Sequence, residues 1–185
     1  LMEDELPISI GEFSTTGYAQ SADAGVLSAS GAFRAPCLLF AGATNDEQAG
    51  ATVPAPPRWS DGTLTGVRLF LGTDTSISSK AVVFKVRILS LKTTEVYTTP
   101  YTEQFTVSLT DGASKLTIAD LTFATPQDHD EGNWIGIVLE RMQSEGADTF
   151  TSDVGVTGFS VLYKSDGPAN GTGPWNVGPR KWVAP

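Results

Sequence analysis

KAVVFKVRILSLK, residues 80–92, alternates apolar and charged side chains over most of its length. Successive side chains of an extended strand point to opposite faces, so Phe84, Val86 and Ile88 fall on one face and Lys85 and Arg87 on the other. Similar segments lie on both sides of it. GVRLFLG (66–72) precedes it. EQFTVSLT (103–110) follows, with Phe105, Val107 and Leu109 sharing a face. SKLTIADLTFAT (114–125) comes after Asp111-Gly112, a strong hairpin signal. NWIGIVLERM (133–142) and VGVTGFSVLYK (154–164) complete the set. No 11-residue window shows helical apolar spacing. Six regularly spaced strands with Gly/Asp turns predict an all-β chain, an antiparallel β-sandwich or jelly roll. Its inward positions should be Phe84, Val86, Ile88, Phe105, Val107, Ile118 and Leu139.

The flanks read differently. Residues 1–58 are rich in Ala, Gly, Ser and Pro, and only APCLLFAG (35–42) and the short PISIGEF look strand-like. They are expected to form an extended N-terminal arm, with the sandwich over 59–164. Residues 165–185 form a Gly/Pro-rich C-terminal tail that nevertheless carries Trp175 and Trp182. A solvated linker has no use for two indoles, so both are candidate interface residues.

Composition narrows the function. The 185-residue chain has formal net charge −9 and one Arg-Lys pair, Arg180-Lys181, as its nearest approach to a basic patch. A phosphate backbone requires a basic footprint, so no nucleic-acid partner is expected. An anionic membrane surface would repel the chain. No apolar run has the length of a spanning helix, and the start lacks a secretory-signal pattern. The single cysteine, Cys37, sits in CLLF and reads as a small core hydrophobe.

Candidate chemistry is sparse. The one histidine, His129, lies in PQDHDEGNW beside Asp128, Asp130 and Glu131. That cluster reads as a polar turn, because adjacent strand residues diverge and no second histidine exists to build a zinc site. No GxSxG or Gly-rich phosphate loop occurs. The expectation is no catalytic residue, no metal and no cofactor.

The remaining question concerns LERMQSEGADTFTSDVGVTGFSVLYK, residues 139–164, which gathers Glu145, Asp148 and Asp153 between two strands. Its run of a basic strand end (Arg141), Ala147-Asp148-Thr149-Phe150, Ser152-Asp153 and a closing strand to Tyr163 resembles a terminal β-hairpin of many tailed-phage virion proteins. WSDGTLTGVRLFLG and AVVFKVRILSL upstream also look like that module, so the resemblance spans roughly 59–164. Ser144-Glu145 stands where that hairpin more often has Ser-Asp, and Phe150 where it often has Tyr. The resemblance implies a virion protein of tail, fibre or capsid-decoration type, located in the particle and partnered by other virion proteins. The residues themselves read as loop organisers. Asp148 and Asp153 are suited to Asx-turns, each bond worth about 1 kcal/mol, and Arg141 to a bidentate pair with one of them.

Exposed strand edges and apolar arms predict a homo-oligomer, a trimer by preference. The alternative is a carbohydrate-binding module or small glycan-acting enzyme on the same sandwich, with Trp59, Trp134, Trp175 and Trp182 as possible platform aromatics. Trp134 opens a core strand, and burial is expected for it.

Overall fold

A computed structural model describes residues 2–16, 21–29, 33–42, 46–55, 59–91, 100–112, 115–128 and 134–165. Among them are ten strands: β1 (Met2–Ile8), β2 (Asp23–Ala29), β3 (Phe33–Phe40), β4 (Glu47–Pro54), β5 (Trp59–Gly72), β6 (Ala81–Leu91), β7 (Tyr101–Ser108), β8 (Leu116–Asp128), β9 (Trp134–Arg141) and β10 (Val154–Ser165). One short 3-10 turn, Ile10–Glu12, follows β1.

The strands form two antiparallel sheets packed face to face. The first has the order β2-β3-β10-β5-β8, with β1 also on β10; the second is β4-β9-β6-β7. Pairing runs from the inside out. β6 pairs β7, β5 pairs β8, β4 pairs β9 and β3 pairs β10, as in one long hairpin. Contacts β6–β9 and β5–β10 then roll that hairpin closed. This is jelly-roll winding, which brings sequence-distant strands into one core.

β6 lies as the alternation requires. Phe84, Val86 and Ile88 are buried, and Lys85 and Arg87 stand on the outer face. Phe84 meets Phe40 of the opposite sheet edge-to-face, with ring centroids 5.6 Å apart. Val107 and Leu139 are buried too, while Phe105 is half-buried and packs against Phe123 of β8.

Ile118 departs from expectation. It is 59% exposed, and Thr117, Ala119, Leu121 and Phe123 face inward instead. β8 carries apolar residues in both phases, so hydrophobicity alone leaves its register open. Asp120 decides it. Asp120 shares a face with Ile118, and its carboxylate takes the Arg68 guanidinium of β5 at 2.6 and 2.9 Å. A one-residue slip would drive Asp120 into the core, a larger penalty than exposing Ile118. Trp134 is also corrected: it is 48% exposed, because Ile135, Ile137 and Leu139 take the inward positions of β9.

The stretch 1–58 is not an arm. β1 to β4 lie within it and are hydrogen-bonded members of both sheets. Between β1 and β2 the chain sets Phe13 on Phe159, with centroids 5.2 Å apart, then bridges to β4 through Ser14 and Gly50. Residues 166–185, with Trp175 and Trp182, lie outside the described residues, as do 129–133 with His129, Asp130 and Glu131.

Candidate functional site

Arg141 closes β9. Strand parity puts it on the same side as Ile135, Ile137 and Leu139, so its side chain enters the interior at the end of the sandwich. It is 1% exposed. A guanidinium there needs a partner for each of its five N–H groups. Nε donates to Asp148 Oδ2 at 3.0 Å and Nη2 to Asp148 Oδ1 at 3.1 Å, a bidentate pair. Nη2 also donates to the Phe150 carbonyl. Nη1 donates to the carbonyls of Ser152 at 2.9 Å, Ala41 at 3.1 Å and Phe40 at 3.2 Å. One side chain thus ties the 142–153 loop to the end of β3. The Phe150 ring lies beneath the guanidinium, 5.9 Å from its centre.

Asp148 completes the clasp. Its Oδ2 accepts from Val83 N at 3.2 Å and its Oδ1 from Phe150 N at 3.3 Å, the second being an Asx-turn. Around it the loop is stitched to the start of β6: Met142 N donates to Val83 O at 2.8 Å and Thr149 N to Ala81 O at 2.9 Å. Ala81 N returns a bond to Thr149 Oγ1 at 3.0 Å.

The other two carboxylates do different work. Asp153 accepts from Gly42 N at 2.7 Å, across the gap to the segment after β3, and not from its own turn. Glu145 stands exposed at the loop tip, its backbone N–H closing a turn on Met142 O. Among the described residues no group of three or more His, Cys, Asp or Glu side chains is placed to hold one metal ion.

Sequence reading missed the far side of the clasp. Gly42 is required by close approach: a Cβ there would stand 2.2 Å from the Thr151 carbonyl oxygen. Asp46 receives the Ser144 N–H and hydroxyl, both at 2.9 Å. Glu47 accepts from Ala41 N at 2.7 Å. Gly42 and Asp46 meet residues about a hundred positions away in sequence, whereas Glu47 closes a bond over six, and no local pattern marks any of them.

Burial pushes the Glu47 carboxyl above its ordinary range, the Ala41 hydrogen bond opposes this, and Asp23 and Asp153 add to the rise. A carboxyl that holds its proton more tightly folded than unfolded makes stability fall as pH climbs through that interval. Glu47→Gln retains an oxygen acceptor for Ala41 and removes the charge. It is expected to raise the melting temperature more at neutral than at mildly acid pH, as paired thermal melts would show. An equal shift at both would contradict the burial effect.

A second polar group lies on the outer face of the second sheet. Glu140 is 5% exposed and accepts from Gln48 Nε2 at 2.7 Å and from Arg87, with Lys85 Nζ at 3.5 Å. Gln48 and Lys85 are its cross-strand partners and Arg87 reaches it diagonally from the place opposite Val138, so the cluster follows from register. No protein-family model matches the chain, and no curated protein matches it.

Proposed function

We propose that the chain is a non-enzymatic structural component of a tailed-phage particle that assembles as a homo-oligomer alongside other virion proteins. The observation that carries this reading is the clasp. Arg141, Asp148, Phe150 and Asp153, the residues on which the likeness to phage hairpins rests, are all engaged in fixing the shape of one loop. Such a loop offers a rigid surface rather than reacting groups. Leu116 and Ile118 support assembly: they are 50% and 59% exposed, side by side on β8, which closes one end of the first sheet.

Native mass spectrometry of the full chain is expected to give a trimer or larger ring. Replacing Leu116 and Ile118 together with lysine should reduce the assembly while moving the monomer's stability by about 0.5 kcal/mol or less, as for exposed positions generally. A monomer at all concentrations would overturn the reading.

A second reading, a carbohydrate-binding module, is favoured by one observation. Trp134 stands half-exposed on the outer face of the second sheet, where its cross-strand partner Leu91 lines a groove of about 390 Å3. Gly50 and Gly136 leave part of that groove as bare backbone, and Arg87 and Thr52 offer polar groups. A monomer that binds a glycan array, and loses binding in Trp134→Ala, would put this reading first.

A further inference from the structure

The outer face of the second sheet is a ladder of paired positions. Leu91 of β6 stands opposite Trp134 of β9, Leu89 opposite Gly136, and Arg87 opposite Val138. The groove of about 390 Å3 follows these positions, and Gly50 and Thr52 of β4 flank it. Four residues of β9 separate Trp134 from Val138, about 13 Å at the rise of an antiparallel strand. The face therefore runs from an exposed indole at one end to a guanidinium at the other, longer than a single sugar ring.

Arg87 is only partly committed. Its Nη2 donates to Glu140, its one bond among the described residues. A guanidinium carries five N–H groups in a fixed fork, so an edge that can grip a second carboxylate stays open. Lys85 Nζ lies 3.5 Å from the same Glu140 carboxylate. The two cations are 28% and 22% exposed and Glu140 only 7%, so the face turns two cations outward over one buried anion. The outer positions of the four strands hold no other ionisable side chain among the described residues. Glu12, exposed two positions before the groove residue Ser14, pairs with neither cation. The chain's net charge of −9 repels an anion at long range, but at physiological salt charges beyond about 8 Å are largely screened, and the groups in contact decide.

Thr52 adds an uncharged handle. Gly50 of the edge strand β4 exchanges both backbone groups with Ser14, at 2.7 and 3.0 Å. Edge-facing groups recur at every second residue of an antiparallel ladder, so Thr52 turns its N–H and C=O to the same open edge.

We propose that this groove binds a saccharide carrying a carboxylate, a uronate or sialate unit, with a sugar ring on the Trp134 indole and the carboxylate on Arg87 beside Lys85. The inference rests on the carbohydrate-binding reading of the same groove and supplies what that reading leaves open, the charge of the ligand. The indole offers an apolar face to the C–H side of a ring, and Thr52 meets hydroxyls. One fork and one ammonium suit a single planar carboxylate; a sulfate-rich chain calls for a longer basic track.

The test applies the full chain to an array of uronate- and sialate-ended oligosaccharides, the methyl esters of the same compounds, and neutral and sulfated oligosaccharides. The acids should be bound, and each ester about tenfold or more weaker, because a hydrogen bond to a charged group is lost. Arg87→Gln should bring acid and ester to equal binding. Arg68→Gln makes the same change of net charge on the first sheet and should leave the preference intact. If Arg87→Gln lowers the melting temperature, Arg87→Lys takes its place; it keeps a cation for Glu140, loses the fork, and should still reduce the preference. Trp134→Ala should weaken acid and ester together. Acid and ester bound alike by the unaltered chain, a preference that survives the Arg87 replacement, or stronger binding of neutral or sulfated compounds would overturn the inference and leave the carbohydrate-binding reading standing. An array that captures nothing would end both.

Discussion

Arg141→Ala is expected to cost about 3–5 kcal/mol of folding stability, the usual effect of removing one partner from a buried ion pair. The alanine strands a buried carboxylate and removes the donor shared by four backbone carbonyls, those of Phe40, Ala41, Phe150 and Ser152. Natural domains hold only about 5–15 kcal/mol in total, so much of the margin goes. Arg141→Lys should rescue little, because an ammonium has three donors at one point and cannot reproduce the fork.

Asp148→Ala belongs in the same range, well above the roughly 1 kcal/mol expected for a single turn bond. Its carboxylate receives two bonds from Arg141 and one each from Val83 and Phe150, and its side chain is fully buried. Urea unfolding checks both variants. A chelator should leave the melting temperature of the intact chain unmoved; a fall restored by calcium would replace the clasp with a metal site.

Phe84→Ala is the second large effect, about 3–5 kcal/mol. The ring is fully buried on β6, an inner strand of the second sheet, and packs edge-to-face on Phe40 of the first, so truncation opens a cavity between the layers. A loss under about 1 kcal/mol in denaturant melts would mean that the inter-sheet contact relaxes around the gap. Both substitutions strike the same end of the sandwich, since Phe84 and Arg141 are register partners on β6 and β9. Their effects are therefore expected to be non-additive.

The central strands were legible because β6 separates its charges and its apolar residues cleanly by parity. The same parity, carried along β9 from Ile135 to Arg141, would have placed the arginine inside rather than at a solvent-facing strand end. β8 was not legible by hydrophobicity, since Leu116 and Ile118 compete with Leu121 and Phe123, and only Asp120 breaks the tie. The N-terminal strands were hidden by small side chains. β4 buries Ala49, Ala51 and Val53, an alternation whose alanines and intervening Gly50 leave a weak apolar signal. β1 and β3 share one edge of β10 in succession, a long-range arrangement that no local window encodes. For the loop, a bidentate pair between Arg141 and one of its aspartates was readable from sequence, but the choice of Asp148 was not, and Gly42, Asp46 and Glu47 became neighbours only through the rolling of the hairpin.

The most direct test of the clasp is a double-mutant cycle on Arg141→Met and Asp148→Asn, measured by urea unfolding. The two side chains share two hydrogen bonds and one buried environment. The cycle should therefore return a coupling of about 0.5–3 kcal/mol, the double variant losing clearly less than the two single losses combined. Single losses that simply add would contradict the account, because Arg141 and Asp148 would then be acting independently in the loop.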